Sequence, residues 1–76
     1  MDRVALKAAL AHAELKLSVG EGDIEAQRKL IADREIAGFS TTTQRQMLDR
    51  LEKEQRDYIE RRGILTLELG TDPDLN

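Results

Sequence analysis

The stretch LKAALAHAELKLSVGEGDIEAQRKLI, residues 6–31, decides how this chain folds. Within it Leu6, Leu10, Ala13, Leu17, Gly20, Ile24, Gln27 and Ile31 succeed one another in alternating steps of four and three. An α-helix turns once in 3.6 residues, so these steps lay all of them along one seam, the pattern of helices that pack side by side. Val4, Ala9 and Leu30 widen the stripe. Two other readings compete. Gly20 and Gly22 each cost about 1 kcal/mol relative to alanine inside a helix, and could split the segment, with Asp23 capping a second helix. Residues 13–19 also alternate apolar and polar, which is a strand pattern. The seam nevertheless holds its phase across both glycines, which a loop has no reason to do. The stretch therefore predicts one helix from about residue 2 to residue 37.

Gly38 stands where a helix ends in left-handed conformation. Phe39 follows and is expected to cover the end of the seam. The run Ser40-Thr41-Thr42-Thr43 bonds readily to its own backbone and favours a helix start. Ser40 or Thr41 is the expected N-cap, and with Thr41 in that role Gln44 completes a capping box. A second stripe then runs through Leu48, Leu51, Gln55, Tyr58, Arg62 and Leu65, flanked by Met47 and Ile59. Asp49–Lys53, Glu52–Arg56 and Asp57–Arg61 set opposite charges four apart on the outer face. The helix is expected over about 41–62, ending at Gly63 or running on to Leu69. Residues 64–69 alternate as well, so a short strand competes there.

Folded antiparallel about a turn at residues 38–40, the two stripes face each other, with Gly20 expected opposite Tyr58, a small residue against the largest ring. The fold class is thus all-α: a two-helix hairpin over residues 1–70, with a polar, acidic tail at 71–76. A hairpin buries one stripe per helix and forms a thin core. The off-seam apolar residues (Val4, Leu30, Met47, Ile59, Leu67) predict that two hairpins pair into a four-helix homodimer, or that another protein docks.

The residues Gly20-Glu21, Ile24, Gln27-Arg28, Ile31, Gly38, Thr41-Thr42, Leu48, Leu51-Glu52 and Gln55 carry a resemblance. Over Ala13 to Arg56 the chain resembles a group of short uncharacterised bacterial proteins. It departs from their pattern at Gly22, where a polar helix former is usual, and at Phe39, where histidine is usual. The resemblance implies a continuous first helix and a short turn, and no activity.

Composition narrows the function. There is no cysteine in the 76 residues, hence no disulfide, thiolate zinc site or thiol nucleophile. The N-terminus lacks the marks of a signal peptide, and no apolar run approaches the roughly 20 residues that span a bilayer. A cytoplasmic setting is expected. Residues 1–38 carry six basic and seven acidic side chains, residues 39–63 six and five, and residues 64–76 none and three. Such interleaving is that of a solvated helix, whereas nucleic-acid binders carry a basic face. No direct nucleic-acid partner is expected.

Catalysis finds little to work with. His12 is the only histidine, and a general base needs an oriented nucleophile and a water-excluding pocket. Glu21 and Glu25 share a helix face, but Lys29 is a simpler partner for Glu25. Dimetal bundles pair Glu with a His three residues on, and no Glu-x-x-His occurs. No metal, cofactor or catalytic residue is predicted. Gln27 and Gln55, polar within the seam, are expected to set register. The expectation is a non-catalytic interaction module or small regulatory adaptor, with Leu17, Ile24, Ile31, Met47, Leu51, Tyr58 and Ile59 as contact residues. Two alternatives are an inhibitor of a nucleic-acid-handling enzyme, of phage or plasmid type, and a self-assembling structural protein.

Overall fold

A computed structural model describes residues 2–70. Two helices, α1 (Arg3–Ile36) and α2 (Thr42–Gly70), run antiparallel as a hairpin, and no strand occurs among the described residues. The molecule is a rod of 58 × 15 × 14 Å. Most of its length is that of α1, since 34 residues at about 1.5 Å each span about 50 Å. The acidic segment 71–76 lies outside the described residues.

α1 is continuous through Gly20 and Gly22, as the unbroken seam predicts. It starts at Asp2, whose carboxylate accepts a hydrogen bond from the Ala5 amide at 2.8 Å. That cap was legible in the sequence, since Asp is a strong N-cap residue. The helix ends in a Schellman turn: the Gly38 amide donates to the Glu35 carbonyl at 3.0 Å and the Phe39 amide to the Arg34 carbonyl at 2.9 Å. Gly38 takes φ +82°, which only glycine adopts without cost.

The same turn corrects the expectation for Phe39. In a Schellman turn the residue two beyond the cap packs back on the third residue from the helix end. Phe39 accordingly meets Arg34, whose guanidinium lies 5.4 Å from the ring centroid. The ring is 62% exposed and does not cover the seam.

α2 runs through Gly63 to Gly70, so both the stop at Gly63 and the strand at 64–69 are set aside. Its first helical bond joins the Arg45 amide to the Thr41 carbonyl at 2.8 Å, which makes Thr41 the residue before the helix. The Thr41 hydroxyl does not close a capping box with Gln44. It is buried, donates to Glu35 Oε1 at 3.4 Å and accepts from Arg45 Nε at 3.1 Å.

Pinning Thr41 to the last turn of α1 also shifts the pairing of the helices. Gly20 does not face Tyr58; the side chain over it is that of Gln55, one turn earlier in α2. Tyr58 packs instead against the cluster of Leu6, Ala13, Leu65 and Leu69, together with Ala9 and Leu10. Arg62, expected in the stripe, is exposed. The seam of α1 is otherwise as read: Leu6, Ala13, Leu17, Ile24 and Ile31 are buried and Leu10, Gly20 and Gln27 partly so. In α2 Thr41, Leu65 and Leu69 are buried, with Gln44, Leu48, Leu51, Gln55 and Tyr58 partly so.

Both seam glutamines reach across. Gln55 Nε2 donates to the Leu17 carbonyl at 2.9 Å and Gln27 Nε2 to the Gln44 carbonyl at 3.3 Å. Sliding α2 by one turn would break both bonds, so they hold the register.

Candidate interaction surface

The residues expected to touch a partner divide into two groups. Leu17, Ile24 and Ile31 are buried between the helices of the hairpin, and Leu51 and Tyr58 are half-buried there. Their apolar surface is largely consumed in holding α1 to α2. Met47 and Ile59 stand outside, at 42% and 48% exposure.

Further exposed apolar residues lie elsewhere on α1. Leu15 and Val19 are exposed there, and so is Ile36 further along. Ala5, Ala8, His12, Leu15, Val19, Gly22 and Ala26 follow in alternating steps of three and four, a second seam whose His12 and Val19 border α2. α2 carries a short counterpart at Ile64 and Leu67, both exposed. This second seam is what the alternation in residues 13–19 and 64–69 records. Ala13 and Leu17 point inward while Leu15 and Val19 point outward; Leu65 and Leu69 point inward while Ile64 and Leu67 point outward. A helix apolar on two faces mimics the period of a strand.

Charge marks the two edges of the hairpin differently. Along one, Arg28 pairs with Glu52 at 3.8 Å and Arg45 with Glu35. These bridges cross between the helices, whereas the pairs expected within α2 at Asp49–Lys53, Glu52–Arg56 and Asp57–Arg61 do not close. Glu52 is drawn across to Arg28, and the Arg61 guanidinium lies over the Tyr58 ring, 5.0 Å from its centroid. Along the other edge His12 meets Tyr58 edge-on at 6.3 Å between centroids. Close by, Lys16, Val19, Asp23, Glu54 and Gln55 line a cleft of about 130 Å³. Three further grooves, of about 380, 410 and 310 Å³, are shallower and more open to solvent.

Among the described residues no three His, Cys, Asp or Glu side chains gather where a metal ion could be held. No described helix is long and apolar enough to cross a membrane. What the surface offers is therefore apolar helix face edged by mixed charge. Compared with protein-family models, curated proteins and solved structures, the chain matches none.

Proposed function

We propose that this chain is a non-catalytic protein–protein interaction module that associates through the outer faces of its helices, pairing with a second hairpin. The observation that carries this reading is area. The chain exposes 5,731 Å² at 8.6 kDa. A compact monomer of that mass exposes about 4,700 Å², so the rod carries about 1,000 Å² more than a folded chain of its size needs. A stable interface buries about 800 Å² on each partner. The excess is of the right size for one such contact, and among the described residues ten large apolar side chains stand exposed between 42% and 87%.

The inside of the hairpin supports the same reading. Among the described residues no large side chain is fully buried, and the buried apolar residues number seven. A core that thin gains from any second layer laid against it. The interleaved charges of both helices suit a helical partner better than nucleic acid.

Sedimentation equilibrium over a micromolar range tests the proposal, with far-UV circular dichroism at the same concentrations. The expected result is a reversible dimer whose thermal midpoint rises with protein concentration. A cooperative monomer, with a midpoint independent of concentration and no partner recovered from the source cell, would overturn it.

A further inference from the structure

We draw no further inference here: the strongest candidate, the exposed apolar patch of Leu15 and Val19 on α1 beside the cleft against α2, has nothing in the structure to show what covers it.

Discussion

At the open end of the hairpin, Leu6, Ala13, Leu65 and Leu69 close on one another with Ala9, Leu10 and Tyr58 around them. At the turn end the helices meet through Ile24 and Ile31, but much of the contact is polar. Gln27 reaches the Gln44 carbonyl, Arg28 pairs with Glu52, and Thr41, Arg45 and Glu35 bond in one group. The two ends divide the work. Apolar burial is non-directional and holds the helices together wherever it lies along the seam. Hydrogen bonds are directional, so they say which residue meets which, and apart from Gln55 on the Leu17 carbonyl midway along they lie toward the turn.

The largest effect expected from this contrast is at the open end. Leu65→Ala should lose about 2–4 kcal/mol, most of what a hairpin of this size has to spare. Urea denaturation followed by circular dichroism measures it, and a loss below about 1 kcal/mol would break the contrast.

At the turn, Gly38→Ala forces a side chain into left-handed backbone and should cost about 1–2 kcal/mol. The effect should appear in stability alone, with helix content unchanged.

The border between the two halves is Gly20 under Gln55. Gly20→Ala should be close to neutral, because better helix propensity, about 0.5–1 kcal/mol, is offset by displacing the amide from the Leu17 carbonyl, about 1 kcal/mol. In a Gln55→Ala background the same change should stabilise by the full propensity term. A double-mutant cycle with no coupling would show that the glutamine does not depend on the gap.

The smallest effect belongs to Arg45→Ala. Its bridge to Glu35 is well exposed, with 58% and 46% of the two side chains accessible, so a loss of about 0.2–1 kcal/mol is expected. Repeating the melt at about 1 M salt should erase part of the difference, while Leu65→Ala should keep all of its own.

How much of this was legible beforehand depends on whether a residue acts locally. Gly38 was readable because its role is a backbone angle in its own turn. The inward seam was readable because period alone places it. Phe39 was misplaced because a Schellman turn couples it to Arg34, and the bonds that create the turn are not visible in composition. The expected contact residues come largely from the inward stripe, where apolar residues are densest, and of these Leu17, Ile24 and Ile31 are buried within the hairpin while Met47 and Ile59 are exposed. Leu15 and Val19 carried a signal of their own, the second heptad series, which the strand-like alternation of two faces concealed.

Sequence alone determined that there are two helices, which face of each is buried and where the chain reverses, since helical period and a glycine's freedom operate within a few residues. The register of one helix against the other, and with it the placing of Gln55 rather than Tyr58 over Gly20, was decided only in the folded molecule. Apolar seams repeat every heptad and fit nearly as well one turn along. The choice among these near-equal fits falls to Thr41, Gln27 and Gln55, whose partners lie on the other helix.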